Sequence, residues 1–318
     1  MFHRIPSYEP IDEPAGSSRP THGRQGRTSG WCGTGTRCRI GDPTTIWTRR
    51  FGQRCRLSGG DAVGVSGPRL EGKVVLVTGG ASGIGRAACL RLGNEGALVC
   101  VADIAADGTH AVAHEIEAAG GRAEPLPLDV TDGAAVATAV REIAGRHGRL
   151  DGAFNNAGIE GPAIKTADYP DEAWDRVLTV NLKGVWWCMK AELDQMVLQG
   201  GGSIVNTASI AGVRGFPGAS AYVASKHGVV GLTRSAAVEY AHQKVRVNAV
   251  CPGFIETPMA ARVGESGRVN PAAMANLAPI RRMGEAREIG DAASWLLSDE
   301  ASFTTGVTLE VDGGYAAR

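Results

Sequence analysis

The chain has 318 residues, which is enough for one large α/β domain or two smaller ones. Its 33 Lys and Arg residues balance its 33 Asp and Glu residues, so the net charge indicates neither a nucleic-acid partner nor a membrane-surface partner. The sequence contains no apolar run as long as a membrane span and no apolar segment typical of a secretion signal.

Residues 1–70 differ from the rest of the chain. They contain eleven Arg, no Lys and five acidic residues, a net charge of +6, whereas the remainder carries −6. They are rich in Gly, Arg, Ser, Thr and Pro and lack apolar periodicity, which predicts a disordered extension over 1–70 and a folded domain over 71–318. The stretch 65–73 reads as an ordinary lead-in to a first strand, so a further hypothesis is that 1–64 is not natively translated. A nucleic-acid arm is the rival interpretation, which the lack of Lys weakens.

Cysteine and histidine usage indicates no metal site. Cys32, Cys38 and Cys55 lack metal-ligand spacing, and the four other cysteines lie in apolar runs. His110 and His114 share one predicted helix face, but the acidic residues beside them favour a solvated surface. We therefore expect a reducing, cytoplasmic location and no bound metal.

A nucleotide-binding pattern begins at residue 73. Residues 73–77 are rich in Val and predict a buried parallel strand, and a helical pattern covers 86–95. Between them a glycine-rich turn allows close backbone approach and points the helix N-terminus at a pyrophosphate group. The predicted phosphate-binding residues are Gly79, Ser82, Gly83, Ile84 and Gly85.

The next predicted strand, 97–102, is followed by Asp103, eighteen residues after Gly85. An acidic side chain at this distance accepts hydrogen bonds from the ribose hydroxyls of NAD and repels the 2′-phosphate of NADP. Arg86 is a nearby cation that could oppose this preference. The sequence favours NAD, with NADP less favoured.

Helices and strands continue to alternate, with helices at 107–119 and 132–147 and strands at 122–128 and 150–154. Polar residues follow the last two strands at the carboxyl edge, where open α/β sheets bind ligands. Asp129 is predicted to hold the adenine amino group or, equally, to cap the next helix. The cofactor contacts expected here are Asp129, Val130, Asn156, Ala157 and Gly158.

Tyr222 and Lys226 are four residues apart at the start of a helical run that extends to residue 241, so they share one helix face. A free tyrosine has a pKa near ~10, and base chemistry near neutral pH requires a fall of ~3 units, which a neighbouring ammonium favours. Alone, this spacing is a weak motif, and a packed Tyr with a solvated Lys is the simpler interpretation.

The glycine turn, Asp103, the Asn-Asn-Ala-Gly stretch and the Tyr-x-x-x-Lys pair occur in one order that resembles the short-chain dehydrogenase/reductase family. The resemblance covers about residues 73–314. It implies hydride transfer between NAD(H) and an alcohol or ketone. Tyr222 would exchange the proton, Lys226 would lower its pKa and bind the nicotinamide ribose, and Ser209 would hold the substrate oxygen.

Further residues take their roles from the same resemblance. Asn181 is polar within the apolar stripe of a predicted helix, 171–198, and matches the family's Asn that distorts this helix and holds a relay water. From the residues alone, Asn181 either bonds backbone or organises water, and Ser209 is equally a turn residue. The segment after strand 245–250 is expected along the nicotinamide, with contacts from Pro252, Gly253, Ile255 and Thr257.

These elements predict one Rossmann-type domain, with a seven-stranded, mostly parallel sheet in the order 3-2-1-4-5-6-7 and helices on both faces. An irregular substrate loop is expected over 258–283, then a helix at 286–297 and a strand at 306–311. The resemblance implies a homotetramer or homodimer anchored by Trp186 and Trp187, and secondary, including cyclic, alcohols or 3-oxoacyl substrates. The alternative is a regulatory protein that senses NAD without turnover.

Overall fold

The structure is a computed structural model in which residues 67–265 and 271–318 are described. The predicted extension therefore lies outside the described residues up to residue 66. Its predicted boundary at residue 70 is wrong, because Leu70 is fully buried and its amide donates to the Glu95 carbonyl at 2.9 Å. The lead-in from Leu70 onward is part of the folded unit.

The described strands are short and mostly apolar. In chain order they are β1 (Val74–Thr78), β2 (Leu98–Asp103), β3 (Arg122–Pro127), β4 (Gly152–Asn155), β5 (Gly202–Thr207), β6 (Val245–Pro252), β7 (Ile255–Glu256), β8 (Gly284–Glu285) and β9 (Thr308–Val311). Seven form a sheet in the order β3-β2-β1-β4-β5-β6-β9, which confirms the predicted order and leaves β7 and β8 as a separate pair. Every strand pair within the described residues is parallel.

The described helices are α1 (Gly83–Asn94), α2 (Ala106–Ala118), α3 (Gly133–His147), α4 (Asp171–Leu178), α5 (Gly184–Gln199), α6 (Ser220–Tyr240), α7 (Pro258–Glu265), α8 (Pro271–Leu277) and α9 (Ala286–Leu297). Helices α1, α2 and α9 cover one face of the sheet, and α3, α5 and α6 cover the other. None of these described helices combines the length and apolar character that a bilayer crossing requires.

Strand β1 shows why the sheet is buried on both faces. Successive side chains of a strand point to opposite sides. Val74 and Leu76 pack with the α3/α5/α6 side, whereas Val75 and Val77 pack with the α1/α2/α9 side, and all four are at most 5% exposed. The continuous apolar run is therefore what a central parallel strand requires.

The prediction of an irregular segment over 258–283 is wrong for Pro258–Glu265 and Pro271–Leu277, which are helical. Helix α7 begins at Pro258 and α8 begins at Pro271. Proline suits the first helical position because its fixed φ is already helical and its missing N–H has no partner there. The Thr257 hydroxyl also accepts a hydrogen bond from the Ala260 amide, as an N-cap does. The two prolines and the capping threonine are all visible in the sequence as helix-start signals.

Candidate active site

The carboxyl ends of β1, β2, β4, β5 and β6 surround a cavity of about 870 Å³. Such a volume lies within the usual range of cofactor and small-molecule sites. The cavity brings together nearly all of the residues singled out from the sequence. They are Gly79, Ser82, Gly83, Ile84, Asp103, Asp129, Val130, Asn156, Ala157, Gly158, Ser209, Tyr222, Lys226, Pro252, Gly253, Ile255 and Thr257.

The glycine turn leaves no room for side chains. Gly79 and Gly83 adopt φ values of +66° and +51°, which L-residues rarely reach. A Cβ at Gly79 would lie 2.9 Å from the Ala157 Cα, and a Cβ at Gly85 would overlap the Gly79 carbonyl oxygen. The backbone at the start of α1 is thus open to the cavity, and this cradle fits a dinucleotide pyrophosphate.

Asn156 holds the glycine turn in place. Its Nδ2 donates to the Thr78 and Gly79 carbonyl oxygens, each at 3.3 Å, and its backbone amide donates to the Thr78 hydroxyl at 3.0 Å. The sequence predicted a cofactor contact at Asn156, and the structure shows in addition that this side chain ties the end of β4 to the turn after β1.

Asp103 is fixed at the end of β2. Its carboxylate accepts hydrogen bonds from the Ala81 amide at 3.1 Å and from the Ala105 amide at 3.0 Å. Arg86, the cation that could have opposed its preference, donates to both carboxylate oxygens of Glu115 at 2.6 and 2.7 Å. The charge of Asp103 therefore faces the cavity while that of Arg86 is paired elsewhere.

Asp129 does not cap the following helix. Its Oδ1 accepts from the amide and the hydroxyl of Thr131, each at 2.8 Å, in a local turn. The cap of α3 is Asp132, whose carboxylate accepts from the amides of Ala134 and Ala135. The capping interpretation of Asp129 is thus wrong, and Asp129 remains a lining residue of the cavity.

Tyr222 and Lys226 lie on one face of α6, as their spacing predicts. The Lys226 Nζ is 5.6 Å from the centre of the Tyr222 ring and donates to the Thr207 carbonyl oxygen at 2.7 Å. Lys226 is 3% exposed and Tyr222 is half-buried. Burial lowers the pKa of Lys226 to about 8, so its charge is sensitive to pH near neutrality.

The sequence predicted a lowered pKa for Tyr222. That prediction is wrong for the protein without a bound cofactor. Burial of the phenol raises its pKa, and the nearby Glu160 carboxylate adds to this rise. A hydrogen bond with the Ser209 hydroxyl acts in the opposite direction and lowers it. Sequence spacing revealed the neighbouring cation, whereas the cost of burying a phenolate depends on the assembled site.

Asn181 lies behind the cavity in a distorted segment. The predicted single helix over 171–198 is interrupted by a π-helical turn at Thr179–Lys183, which confirms the distortion that the resemblance implied. The fully buried amide accepts from the Ile159 amide and donates to the Ile159 carbonyl, both at 2.8 Å, and its Nδ2 also lies 3.3 Å from the Ser225 hydroxyl. Asn181 thus fixes the loop after β4.

Gly158 separates Asn181 from Lys226. A Cβ at Gly158 would lie 3.2 Å from the Asn181 Oδ1 and 3.6 Å from the Lys226 Nζ. The Asn181 Oδ1 and the Lys226 Nζ therefore both lie close to the space that a side chain at residue 158 would occupy. A glycine there keeps space open between them.

Sequence reasoning missed several residues that line the cavity. The Arg262 Nε on α7 lies 3.6 Å from the Glu160 Oε1, so an ion pair joins α7 to the loop after β4. Apolar side chains also line the cavity. They are Phe254, Met259, Met274 and Met283. Their presence in a segment already expected to contact substrate was the available signal.

Comparison with known proteins agrees with this geometry. The profile of a family described as Enoyl-(Acyl carrier protein) reductase matches residues 79–316. Cyclohexanol dehydrogenase from Acinetobacter sp. (strain SE19) is 42% identical over 250 residues, covering 79% of this chain and 97% of that protein. The 3-oxoacyl-[acyl-carrier-protein] reductase FabG of Thermotoga maritima is 42% identical over 246 residues, covering 77% and 98%.

A solved structure supports the same assignment. The structure of NAD⁺-bound xylitol dehydrogenase has a TM-score of 0.74 and 36% sequence identity, and it covers 77% of this chain and 100% of that one. The chain belongs to the short-chain dehydrogenase/reductase family and is an oxidoreductase of the class that acts on CH–OH groups with a nicotinamide cofactor.

Proposed function

We propose that the protein transfers a hydride between NAD(H) and a secondary alcohol or its ketone, through Ser209, Tyr222, Lys226 and Asn181. One observation carries the proposal. The Tyr222 phenol and the Ser209 hydroxyl line the same cavity as the glycine turn and Asp103. A proton-exchanging group and a dinucleotide cradle thus share one space, as this chemistry requires.

The cofactor supplies the hydride acceptor or donor when it is bound. Backbone at the start of α1 would hold its pyrophosphate, Asp103 its adenosine ribose, and Lys226 its nicotinamide ribose. Other contacts would come from the loops after β3, β4 and β6. These residues are Asp129, Val130, Asn156, Ala157, Gly158, Pro252, Gly253, Ile255 and Thr257.

Tyr222 moves the proton. In alcohol oxidation its phenolate oxygen accepts the proton of the substrate hydroxyl, and in ketone reduction its phenol returns a proton to the same oxygen. The Ser209 hydroxyl donates a hydrogen bond to that oxygen. The ammonium of Lys226 stabilises the phenolate by charge, and Asn181 supports the loop through which water would carry the proton outward.

The preference for NAD follows from charge. Asp103 presents a carboxylate at the end of β2, and like charges repel a 2′-phosphate. Arg86 is occupied by Glu115 at 2.6 Å and does not offset this repulsion. The proposed preference therefore depends on one side chain.

The substrate side of the cavity favours a compact apolar body. Phe254, Met259, Met274 and Met283 line the cavity and belong to the segment expected to contact substrate, and methionine adapts its shape to irregular ligands. Cyclohexanol dehydrogenase and the 3-oxoacyl reductase are the relatives that suggest the two substrate types, a cyclic alcohol and a 3-oxoacyl ester. The apolar lining leads us to place the cyclic or otherwise compact secondary alcohol first.

We extend the proposal to assembly and location. A homotetramer or homodimer would use the α5 surface, where Trp186 is 42% exposed. Trp187 instead packs beside Gly133 of the same chain, so we assign the anchoring role to Trp186 alone. Cys89, Cys100, Cys188 and Cys251 are free buried thiols, which fits a reducing cytoplasm.

A panel of cyclic and linear secondary alcohols, their ketones and a 3-oxoacyl thioester tests the function. Turnover is followed by NADH absorbance with NAD(H) and, in parallel, with NADP(H). We expect turnover of at least one compact alcohol–ketone pair, faster with NAD(H). Tight NADH binding without turnover of any member would instead support the regulatory alternative.

A further inference from the structure

A second group of chemically active side chains meets away from the cavity. The register of the parallel β2–β3 pair sets Cys100 directly opposite Glu124, so both side chains project from the same face of the sheet. Helix α3 packs on that face and ends at His147. The cluster therefore joins a thiol, a carboxylate and an imidazole from three different elements.

The distances within this Cys100/Glu124/His147 cluster suit a metal ion. The Cys100 Sγ lies 3.3 Å from the Glu124 Oε1, and the His147 Nε2 lies 3.1 Å from the Glu124 Oε2. One donor atom from each residue can be chosen so that all three lie within 4.8 Å of one another. Zinc bonds of ~2.3 Å to sulfur and ~2.0–2.2 Å to nitrogen or oxygen place tetrahedral ligands roughly 3.3–3.6 Å apart. Small side-chain movements would complete such a site.

Charge and access also suit a divalent cation. A Cys100 thiolate and the Glu124 carboxylate together carry two negative charges, and His147 contributes a neutral nitrogen. The Glu124 and His147 side chains are each 23% exposed, which leaves solvent access for a fourth, water ligand. Arg146 donates to the Glu124 Oε1 at 2.6 Å and can stay there as an outer partner while Oε2 faces the metal.

We propose that Cys100, Glu124 and His147 form a zinc-binding site with water as the fourth ligand. On binding, the Cys100 S–H bond breaks and its proton passes to solvent. The electron pair left on the sulfur forms the bond to zinc, and no oxidation state changes. The site would fasten strand β3, which is the edge of the sheet, to β2 and to the end of α3. Its role is therefore structural and separate from hydride transfer.

The sequence expectation of no metal has a simple origin. The three donors are separated by 24 and 23 residues, so they form no ligand motif. The β2–β3 register brings Cys100 and Glu124 together, and the packing of α3 on that face adds His147. The competing interpretation is a plain hydrogen-bond network in which the Cys100 thiol donates to Glu124, and Glu124 pairs with Arg146 and His147. That network needs no ion.

Cobalt titration of the chelator-treated full-length protein separates the two interpretations. We expect a thiolate-to-Co²⁺ charge-transfer band that saturates at one equivalent and is displaced by Zn²⁺. Cys100→Ser should abolish the band while keeping Cys32, Cys38 and Cys55, so it also controls for thiols elsewhere in the chain. A full band in Cys100→Ser, or no band in the unsubstituted protein, would overturn the proposal.

Thermal unfolding supplies a second readout. Added Zn²⁺ should raise the Tm of the unsubstituted protein by several degrees, because an ion that binds the folded state stabilises it. His147→Gln removes a partly exposed ligand, is expected to fold, and should lose most of that shift. His110→Gln is the matched control and should keep it. An equal Zn²⁺-dependent shift in His147→Gln would contradict the proposed ligand set.

Discussion

The cofactor side and the catalytic side of the cavity are built by different physical means. On the cofactor side, Gly79, Gly83 and Gly85 shape a turn through backbone sterics within seven consecutive residues. On the catalytic side, Lys226 and Asn181 are held by hydrogen bonds to backbone that is 19 and 22 residues away. The first side is a local property of the sequence, whereas the second exists only after the chain has folded.

This difference predicts different responses to substitution. A change on the cofactor side should alter which ligand binds and how tightly. A change on the catalytic side should alter proton chemistry, folding stability, or both, because its buried polar groups depend on one another. The following substitutions test that contrast.

The largest effect is expected for Lys226→Ala. Removing the ammonium takes away the charge that stabilises the phenolate and a proposed ribose contact, so kcat should fall by about 10²–10⁴-fold and NADH affinity should also weaken. Steady-state kinetics and NADH fluorescence titration measure the two effects. Lys190→Ala, on the exposed surface of α5, is the matched control and should change neither.

Glu192 on α5 should give the next largest effect, on stability. It is fully buried, and burial raises its pKa from 4.5 to about 8. Its Oε2 accepts from the Asn155 Nδ2 at 2.9 Å, whereas its Oε1 and the Asn155 Oδ1 are buried without partners among the described residues. Protonation of Glu192 would remove its charge and give its carboxyl group a hydrogen-bond donor, which these buried acceptors lack.

The sign of the pH dependence follows. A raised folded-state pKa means that the stabilisation is complete below about pH 4.5 and is lost as the pH rises through about 8. Glu192→Gln keeps a neutral donor at all pH values, so the loss between pH 5 and 9, on the order of 4 kcal/mol, should disappear in urea unfolding. Glu117→Gln, at an exposed site, is the control. Equal pH dependence in all three proteins would refute the assignment.

Asn181→Ala should cost about 2 kcal/mol of unfolding free energy, because it leaves the partly buried amide and carbonyl of Ile159 without their partner. Urea unfolding measures the loss. Activity should fall by more than the loss of folded protein accounts for, since the loop that contains Gly158 is no longer fixed beside Lys226. Full activity per folded molecule would contradict the positioning role of Asn181.

Asp103→Ala should have the smallest effect, a gain of about tenfold in NADP affinity relative to NAD, or about 1.4 kcal/mol. The reason is removal of one like charge beside the 2′-phosphate. Cofactor titrations of the variant and of an Asp107→Ala control give the ratio directly. Comparable NAD and NADP affinities in the unsubstituted protein would refute this reading and direct attention to Arg86.

The cofactor side of the cavity and the order of the strands could be predicted almost completely from the sequence. Strand β1, the turn through Gly85 and the position of Asp103 follow from periodicity and glycine placement, and the strand order follows from the alternation of elements. Helices α7 and α8 were missed although Pro258 and Pro271 signalled them. The composition of that segment favours a loop, whereas its two prolines favour helix starts, and the structure follows the prolines.

Long-range properties could not be read from the sequence. The pKa of Tyr222 depends on how much protein surrounds it, and the Glu160–Arg262 ion pair depends on how the loop after β4 meets α7. The same holds for the Cys100/Glu124/His147 cluster, which the β2–β3 register and the packing of α3 assemble together. Sequence spacing reports neighbours on one element, whereas burial and cross-element contacts require the fold.

The most direct test of the central claim is to measure turnover and NADH binding on one preparation of Tyr222→Phe. This substitution deletes one hydroxyl and little volume, so we predict that turnover falls by about 10²–10⁴-fold while NADH affinity stays within a few-fold of the original. Tyr169→Phe, the same change outside the cavity, should leave turnover intact. Retention of most activity by Tyr222→Phe would contradict the claim that Tyr222 exchanges the proton during hydride transfer.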